Sequence, residues 1–504
     1  MFKKLVSIAL AAVMATSIVA CKDGDKPANN KGFVAGENAL CDEYTVLTAF
    51  YHQNGNSEDG SWDIFKDAAK ITNVGLVCTI PKSNSDSTQA FNLMIASGEM
   101  PDIVQTYNGT TFNQLGADGA FVPLNEYLDE YMPNFKKILE EYPEVRKNIT
   151  AYDGNIYFTP FMAGGTASVG WFMRQDWLDK LKLDAPTDAE SMYKVLTAFR
   201  NEDPNGNGEK DEIPMFNKGT LDEAMTLWDA RPDWYMDNGV IKYGPCEENY
   251  KTAIENLRKW YDEDLIDPEI LTRADNPRAK MLGNNVGGCC AEWIGSTAAF
   301  NDKLAESVPG INFTPIAPPS GKVLQRRLVS DNYGWGVSAS SENIELAVRY
   351  LDFWFGEQGS LLMNFGREGE HFDIVDGKPI FRDGFDIQQT IKKYGSHLNV
   401  GYKQNFDYER QWINDMAYEG MVMYEENNYF VEQMPQITSN MSKEEVEEYS
   451  KLKTDIDTYA DEMMQKWILG AEDISATWDE YISALESFGI ARLTELQQEA
   501  YNRR

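Results

Sequence analysis

The stretch Tyr44-Thr45-Val46-Leu47-Thr48-Ala49-Phe50-Tyr51 has the apolar, β-branched and aromatic character of a strand. Residues 62–72 follow with the apolar spacing of an amphipathic helix, and 74–80 predict a second strand. Residues 88–97 then predict a second helix and 102–105 a short buried strand. This alternation is typical of a parallel sheet covered by helices on both faces. The chain is therefore predicted to be an α/β protein.

The ends of these strands indicate where a ligand would bind. In open α/β sheets, ligands bind beyond the carboxyl ends of the strands. Residues 52–54 follow the first predicted strand, and residues 106–108 follow the third. We therefore expect both segments to face a ligand cleft.

The first twenty residues have the pattern of a secretory signal. Lys3 and Lys4 precede an apolar run over 5–20, which is short for a membrane span and gives way at once to polar sequence. The run ends in Ile18-Val19-Ala20-Cys21, which resembles a bacterial lipobox. This resemblance implies cleavage before Cys21 and lipidation of its thiol, with a plain signal peptide as the alternative. Residues 21–40, rich in Lys, Asp, Asn and Gly, then predict a flexible tether.

Composition restricts the partners of the folded part. The chain of 504 residues has a formal net charge of −34, which becomes −36 when Lys3 and Lys4 are removed with the signal. Such a surface repels phosphate groups, so we expect neither nucleic acid nor anionic lipid as a partner. The roughly 460 residues beyond the tether exceed one usual core and predict two large lobes or domains.

The cysteines predict few disulfides. With Cys21 acylated, an odd number remain, scattered without CxxC spacing: Cys41, Cys78, Cys246, Cys289 and Cys290. Cys78 and the Cys289-Cys290 pair lie in apolar runs, where a buried thiol behaves as a small hydrophobe. We therefore expect mostly free thiols.

Residues 203–214, Asp-Pro-Asn-Gly-Asn-Gly-Glu-Lys-Asp-Glu-Ile-Pro, alternate oxygen-bearing side chains with glycines. Calcium takes roughly 6–8 oxygen ligands, and a tight loop supplies them from every second residue. The loop departs from an EF-hand at its twelfth position, where Pro214 stands instead of a bidentate Glu. The alternative is a solvated Asn-Gly turn without an ion. The predicted calcium ligands are Asp203, Asn205, Asn207, Glu209 through its carbonyl oxygen, Asp211 and Glu212.

Short segments before and after this loop share a family pattern. They are Ser97-Gly98-Glu99-Met100-Pro101-Asp102-Ile103, Gly119-Ala120-Phe121-Val122-Pro123-Leu124, Tyr152-Asp153-Gly154-Asn155-Ile156-Tyr157, Arg174-Gln175-Asp176-Trp177-Leu178, Gly334-Trp335-Gly336-Val337-Ser338 and Gly366-Arg367-Glu368-Gly369-Glu370-His371. In this order they resemble extracellular solute-binding proteins of ABC transporters, in the maltose-binding superfamily. The calcium-like loop is similar to that of the long lipoprotein branch. Each segment alone is weak evidence, but their order over nearly the whole mature chain is specific.

This resemblance implies two α/β lobes that close on a ligand about a hinge. The expected chain crossings lie near 160–167, 327–332 and 399–405. Lobe one is then 41–161 and 333–398, and lobe two is 162–332 and 399–504, which contains the calcium-like loop. The resemblance also implies a monomer, lipid-anchored on the extracellular face of the bacterial cytoplasmic membrane. It would capture a carbohydrate, in particular an oligosaccharide, and deliver it to the permease subunits of an ABC importer.

Aromatic residues are the candidates for carbohydrate binding, because sugars present apolar C–H faces rimmed by hydroxyl groups. Most of the twelve Trp in a chain of this size are expected to pack in cores or on surfaces. Trp293 and Ser296 follow a buried strand-like run, and Glu409 and Trp412 would share one face of a helix over 404–417. Both pairs resemble positions that bind oligosaccharide in the alginate-binding proteins of this branch. The other candidates are Trp171 and Arg174 after the first crossing, with Arg174 alternatively pairing with Asp176, and Asn332 and Trp335 at the second.

Other classes of protein remain as alternatives. A secreted glycan-active hydrolase would use paired carboxylates, for which Glu368 and Glu370 near His371 are the candidates. The chain has only three His, so a catalytic zinc is not expected, and we predict that the protein is not an enzyme. A binding protein for a peptide or another solute is the second alternative. A structural surface lipoprotein would be expected to show repeats, which this sequence lacks.

Overall fold

The computed structural model describes residues 39–53, 56–57, 61–79, 86–106, 108–273, 275–384 and 387–504. The predicted signal, Cys21 and all but the last two residues of the predicted tether lie outside the described residues. So do residues 54, 80 and 107 of the predicted strands and strand ends.

Strands and helices alternate along the first half of the chain, as the apolar spacing predicts. The strands are β1 (Thr45–Phe50), β2 (His52–Gln53), β3 (Asn56–Ser57), β4 (Val74–Cys78), β5 (Ile103–Thr106), β6 (Thr159–Met162), β7 (Val169–Arg174), β8 (Ile213–Met215), β9 (Trp234–Asp237), β10 (Val240–Tyr243), β11 (Gly287–Trp293), β12 (Phe313–Ile316), β13 (Gly334–Val337), β14 (Phe372–Val375), β15 (Lys378–Phe381) and β16 (Tyr402–Lys403).

The helices become longer and more frequent towards the carboxyl terminus. They are α1 (Asp63–Thr72), α2 (Ser87–Ser97), α3 (Gly109–Ala117), α4 (Pro133–Glu141), α5 (Pro143–Ile149), α6 (Gln175–Leu181), α7 (Ala189–Asn201), α8 (Asp222–Met225), α9 (Glu248–Asp262), α10 (Arg278–Gly283), α11 (Ile294–Leu304), α12 (Ile344–Phe353), α13 (Glu357–Phe365), α14 (Ile387–Tyr394), α15 (Phe406–Arg410), α16 (Asp415–Glu426), α17 (Lys443–Leu469), α18 (Ile474–Phe488) and α19 (Ile490–Asn502). In the described ranges, none of them is both long enough and apolar enough to cross a membrane.

Two sheets form the centres of the two lobes. The larger has the strand order β16-β6-β13-β5-β1-β4, and the smaller has the order β12-β7-β11-β8. Strands β1, β4 and β5 are parallel, as the strand–helix alternation predicts, while β13 runs antiparallel to its neighbours β5 and β6. Each sheet has its own apolar core, one built mainly from residues 47–162 and 335–402 and the other mainly from 167–323 and 413–500. The α/β fold with two lobes is therefore confirmed.

The segment from Ser97 to Ile103 contains the end of α2 and the start of β5. Gly98 ends the helix with a φ of 70°, a left-handed conformation that glycine adopts without strain. Four residues later the Asp102 carboxylate accepts hydrogen bonds from the backbone N–H and hydroxyl of Thr48 in β1, at 2.8 and 2.7 Å. It also accepts one from the Ser341 hydroxyl beyond β13, at 2.5 Å. Asp102 thus ties β1 and the segment after β13 to the beginning of β5.

Three segments connect the two sheets. Residues 163–168 join β6 to β7, residues 317–333 join β12 to β13, and residues 404–414 lead from β16 to α16. The expected boundary of lobe two at residue 399 differs from this arrangement. Val400 and Tyr402 are buried in the core of the larger sheet, because β16 pairs in parallel with β6 at its edge.

The helix predicted over 404–417 is wrong. The chain there forms two helices, α15 and α16, separated by residues 411–414. Asn414 causes the interruption because its side chain accepts a hydrogen bond from Ala417 N at 2.9 Å and so caps the start of α16. Glu409 therefore lies in α15, while Trp412 lies in the turn that follows it.

Candidate functional site

A cavity of about 460 Å³ lies where the three connecting segments pass between the lobes. We call it the interlobe cavity. Its aromatic lining comes from both lobes and from the connections: Phe161, Trp293, Tyr333, His397, Tyr408 and Trp412. A second cavity of about 670 Å³ shares Ala163, Arg326, Arg327 and Gln404 with it, so the space between the lobes continues past the connecting segments.

The aromatic rings contributed by lobe one and by the connecting segments support one another. Phe161 and Tyr333 stack with centroids 5.3 Å apart, and the His397 ring lies 3.9 Å from that of Tyr408. The ring centroids of Trp412 and Tyr408 are 6.1 Å apart. Because these rings are held by neighbours, they form a wall that needs little ordering when a ligand binds.

Trp293 is an aromatic residue that lobe two contributes to the interlobe cavity. It is the last residue of β11, opposite Val169 of β7, and α11 begins at the next residue. The strand therefore carries its side chain out of the lobe-two core, and Trp293 is 53% exposed. Ser296 lies one turn further on, where its hydroxyl accepts a hydrogen bond from Arg278 at 2.8 Å. The indole thus presents an aromatic face to the cavity.

A buried ion pair joins the three connecting segments. Arg327, on the second connection, donates to both carboxylate oxygens of Glu409 at 2.5 and 2.6 Å. The same guanidinium donates to the carbonyl oxygen of Gly164 on the first connection, at 2.5 Å. Both partners of the ion pair are about nine-tenths buried. This bidentate arrangement fixes the position of α15, which precedes Trp412.

The remaining charged side chains of the interlobe cavity are Arg326 and Asp331. Arg326 lies with its guanidinium carbon 5.9 Å from the ring centre of Phe430. Burial raises the pKa of Asp331, although a hydrogen bond with Tyr333 lowers it in part. The cavity therefore carries balanced charge, in contrast to the strongly acidic chain as a whole.

The calcium-like loop lies in lobe two, between α7 and β8. The Asp203 carboxylate accepts hydrogen bonds from Gly206 N at 2.9 Å and from Asn207 N and Gly208 N at 3.1 Å. Asn207 also donates from its side chain to Asp211 at 3.1 Å. Gly206 and Gly208 both have positive φ, at 76° and 80°, which lets the loop turn tightly enough to bring these groups together.

Glu212 is the unusual residue of this loop. It is 2% exposed, and neither of its carboxylate oxygens has a well-aligned hydrogen-bond partner. Burial raises the pKa of the Glu212 carboxyl, the backbone N–H groups of Glu212 and Asn205 lower it in part, and the nearby Asp211 and Asp203 raise it further. Among the described residues, no group of three or more Asp, Glu, His or Cys side chains is arranged to hold a metal ion. A buried carboxylate without a well-aligned partner, beside two aspartates, is nevertheless the environment in which a bound cation would be most stabilising.

The chain matches a known family of bacterial proteins. Residues 54–360, more than half of the chain, match the model of the bacterial extracellular solute-binding protein family. The chain belongs to this family. As a solute-binding protein it also matches the fructooligosaccharide ABC transporter substrate-binding protein FusA of Streptococcus pneumoniae serotype 4, with 26% identity over 463 residues and coverage of 83% of each chain.

Two further relatives are similar to this chain over different lengths. The crystal structure of the alginate-binding protein AlgQ2 without calcium ion is similar to this solute-binding protein with a TM-score of 0.77 and 34% identity, over 92% of this chain and 99% of AlgQ2. The lipoprotein LipO of Bacillus subtilis strain 168 is 25% identical over 315 residues, which cover 58% of this chain and 61% of LipO. FusA and AlgQ2 are named as binding proteins and not as enzymes.

The interlobe cavity of this solute-binding protein contains some of the predicted ligand-binding residues. Trp293, Glu409 and Trp412 line it together, and Ser296 lies next to Trp293 on α11. Glu409 differs from the expectation in one respect, because its carboxylate is already paired with Arg327.

Four other predicted ligand-binding residues lie away from the interlobe cavity. Trp171 and Trp335 are central residues of β7 and β13 and are 1% and 2% exposed, because each points into the core of its own lobe. Arg174 is also buried and forms a bidentate ion pair with Asp176 at 2.8 and 2.6 Å, which was the alternative considered for it. Asn332 lies against α3, where its backbone carbonyl oxygen accepts a hydrogen bond from the backbone N–H of Gly109 at 2.8 Å.

Sequence reasoning missed several residues of the interlobe cavity. Tyr333, His397 and Tyr408 supply most of its lobe-one wall, and Arg327 forms its central ion pair. The crossing expected near 327–332 contains Arg327 and is adjacent to Tyr333. A search for aromatic or charged residues at the predicted crossings would therefore have found these two residues. His397 carries no such signal, because its position depends on packing against Tyr408.

The residues considered for an acid and base pair have other partners. Glu370 pairs with Arg367 at 2.5 Å, and the His371 Nδ1 accepts a hydrogen bond from the backbone N–H of Arg367 at 2.9 Å. Burial lowers the pKa of His371, so the neutral imidazole is favoured. This cluster lies next to the β14–β15 hairpin and does not line the interlobe cavity.

Proposed function

We propose that this protein captures an oligosaccharide in the interlobe cavity and delivers it to an ABC importer. The observation that carries the proposal is the exposed Trp293 on lobe two, which lines the same cavity as Phe161, Tyr333 and Tyr408. Aromatic faces of this kind pack against the C–H faces of sugar rings, while Arg326 and Asp331 add polar groups to the lining. The relatives FusA and AlgQ2, which bind fructooligosaccharide and alginate, support a carbohydrate ligand.

Capture would work by closure of the lobes. A ligand that contacts Trp293 on lobe two and Phe161 on lobe one gains both contacts only when the cavity is closed. Its differential affinity then shifts the population towards the closed form, which would dock on the permease subunits. The connecting segments are the parts of the chain that must bend, because each lobe has its own core. We propose that the protein acts as a monomer in this cycle.

Calorimetric titration with neutral and uronate-containing oligosaccharides tests the proposal. We expect saturable binding of at least one oligosaccharide, with compaction of the protein in small-angle scattering and no change in the ligand. Chromatography of the ligand after incubation detects a hydrolase, because shorter products would appear. Binding of peptides without binding of any glycan would contradict the carbohydrate assignment.

We also propose that the loop of residues 203–214 holds a structural calcium ion. The residues that would hold it are Asp203, Asn205, Asn207, Glu209 through its carbonyl oxygen, Asp211 and Glu212. These donors suit calcium because they are all oxygen ligands, and Glu212 has two buried oxygens without well-aligned partners. An ion that binds only the folded protein stabilises it, by about 2.7 kcal/mol at a calcium concentration 100 times the dissociation constant.

Glu212→Gln is expected to change stability in opposite directions with and without calcium. In EDTA the variant should unfold at a higher temperature than the wild type, because the pKa of Glu212 is raised and its ionised form is unfavourable in the fold. In calcium the variant should lose most of the stabilisation seen for the wild type, because a charged ligand is missing. Thermal unfolding in both buffers measures the effect. Asp184→Ala, an exposed residue of the same lobe, is the control and should respond to calcium as the wild type does.

An unchanged unfolding temperature of the wild type in calcium and in EDTA would argue against an ion in this loop. An equal calcium response of the wild type and Glu212→Gln would argue against Glu212 as a ligand.

We propose that Cys21 carries a lipid that anchors the protein on the extracellular face of the cytoplasmic membrane. The support is the lipobox-like Ile18-Val19-Ala20-Cys21 and the similarity to the lipoprotein LipO. Several acyl chains on one residue hold a protein at a membrane without a spanning helix.

Cys21→Ser is therefore expected to move the protein from the membrane fraction to the culture medium or the soluble fraction. Cys41→Ser is the matched control, because Cys41 is a free thiol in the folded part and should not affect attachment. Immunoblots of the fractions measure the distribution. Retention of Cys21→Ser in the membrane fraction would contradict the anchor.

A further inference from the structure

A buried carboxylate holds the second connecting segment where it leaves lobe two. Glu223 in α8 is 3% exposed, and its carboxylate accepts hydrogen bonds from Leu324 N at 2.9 Å and from Gln325 N at 3.0 Å. The next two residues are Arg326 and Arg327, which line the interlobe cavity. Glu223 therefore fixes the backbone immediately before the residue that joins the three connecting segments.

The carboxylate of Glu223 has no cationic partner. Within the described part of the chain, no Lys, Arg or His nitrogen lies close enough to form an ion pair with it. The ionisable groups that face it are Asp222 on the same helix, Arg231 beyond it and Tyr424 on α16. Burial raises the pKa of Glu223 to about 7, partly offset by the two amide hydrogen bonds and by Arg231, while Asp222 raises it further.

We propose that Glu223 is a positioning residue for ligand capture, whose ionised carboxylate holds the second connecting segment and so keeps Arg327 in place at the interlobe cavity. The inference rests on the proposed carbohydrate binding. An ionised carboxylate accepts from both amides at once. When one oxygen is protonated it becomes a donor and a poor acceptor, so one of the two amides loses its partner. The segment that carries Arg327 is then held less firmly, and binding weakens.

Stability and affinity are expected to change in opposite directions with pH. Because the pKa of Glu223 in the folded protein is raised above that of an exposed Glu, folding favours the protonated form. The stability that this group contributes is therefore present at low pH and is lost as the pH rises through about 7. Affinity, in contrast, needs the ionised form and should increase over the same range. A residue with a purely structural role would change both quantities in the same direction.

The first connecting segment provides a matched control. Glu425 Oε1 accepts hydrogen bonds from Thr166 N at 2.5 Å and from Ala167 N at 3.0 Å. Glu425 is thus another carboxylate that binds two successive backbone amides at the lobe-two end of a connection. It is more exposed than Glu223, so Glu425→Gln changes the same kind of contact without changing the buried carboxylate.

The experiment measures the dissociation constant of an oligosaccharide that the wild type binds, at pH 6 and pH 8, by calorimetry on the full mature chain. We expect wild-type binding to be about threefold to tenfold weaker at pH 6, the effect of losing one ordinary hydrogen bond. Glu223→Gln should bind at pH 8 as weakly as the wild type does at pH 6, with little dependence on pH. Glu425→Gln should keep the pH dependence of the wild type.

Hydrogen exchange of the Leu324 and Gln325 amides gives a readout that needs no ligand. After correction for the intrinsic exchange rate, these amides should be less protected at pH 6 than at pH 8 in the wild type, and equally protected at both in Glu223→Gln. Equal wild-type affinity at the two pH values, or a pH dependence that persists in Glu223→Gln, would overturn the proposal. If no oligosaccharide binds at all, the proposed function fails, and the exchange data alone decide whether Glu223 holds this segment.

Discussion

Trp293→Ala is expected to weaken oligosaccharide binding by about 30-fold or more, because a central aromatic contact contributes about 2 kcal/mol or more to binding. The indole is the main aromatic surface that lobe two offers to the interlobe cavity, and it is 53% exposed without a ligand. Its removal should change folding stability little, because an exposed side chain makes few core contacts. Calorimetric titration of the variant and the wild type measures the effect.

Tyr152→Ala is the matched control for Trp293→Ala. Tyr152 is an aromatic residue of similar exposure, at 44%, and it does not line the interlobe cavity. We expect wild-type affinity for this variant. Equal affinities of Trp293→Ala and Tyr152→Ala would show that Trp293 does not contact the ligand, even if the wild type binds oligosaccharide.

Arg327→Met is expected to destabilise the protein by about 3–5 kcal/mol, because it leaves the buried carboxylate of Glu409 without its partner. The substitution also removes the hydrogen bond to the Gly164 carbonyl oxygen, so the three connecting segments are no longer joined. The double variant Arg327→Met/Glu409→Leu should recover much of the lost stability, since it removes the unpaired charge. Its affinity should nevertheless stay low, because polar atoms of the cavity are missing. Denaturant unfolding followed by Trp fluorescence measures the stability.

An exposed bidentate ion pair provides the control for Arg327→Met. Arg382 donates to both carboxylate oxygens of Asp373 at 2.8 and 2.7 Å, but both side chains are nearly half exposed. Arg382→Met should therefore cost only about 0–1 kcal/mol. A similar cost for the two substitutions would mean that the Arg327–Glu409 pair does not depend on burial.

Local features of the fold followed from local sequence. The strands β1 and β4 and the helices α1 and α2 lie within a residue or two of their predicted positions, because apolar spacing and capping residues such as Asp86 and Gly98 act over a few residues. The helix predicted over 404–417 failed for a local reason as well. Asn414 caps a new helix there, so the chain turns between α15 and α16.

The candidate site was predictable only in part. Trp293 ends a strand, so its delivery to a cleft followed from the strand pattern, and the structure places it beside the interlobe cavity. Trp171 and Trp335 have the same chemistry and lie close to connecting segments, yet they face the cores. The difference is one of position along the strand: the pairing of β11 with β7 puts Trp171 and Trp293 on the same face of the sheet, but Trp171 is central and covered by the core, whereas Trp293 ends its strand. The strand pattern alone therefore does not decide which aromatic residue faces the ligand, because the covering of each strand depends on tertiary packing.

The sequence by itself determined the α/β alternation, the signal and lipobox-like pattern before Cys21, the oxygen-rich loop of residues 203–214 and the ordered segments of the solute-binding family. All of these depend on residues that are neighbours in the chain. The tertiary structure alone decided that Arg327 pairs with Glu409, 82 positions later, and that Glu223 holds amides about 100 positions away. The physical reason is that burial and ion pairing depend on which distant segments pack together, and in this protein those segments are the connections between its lobes.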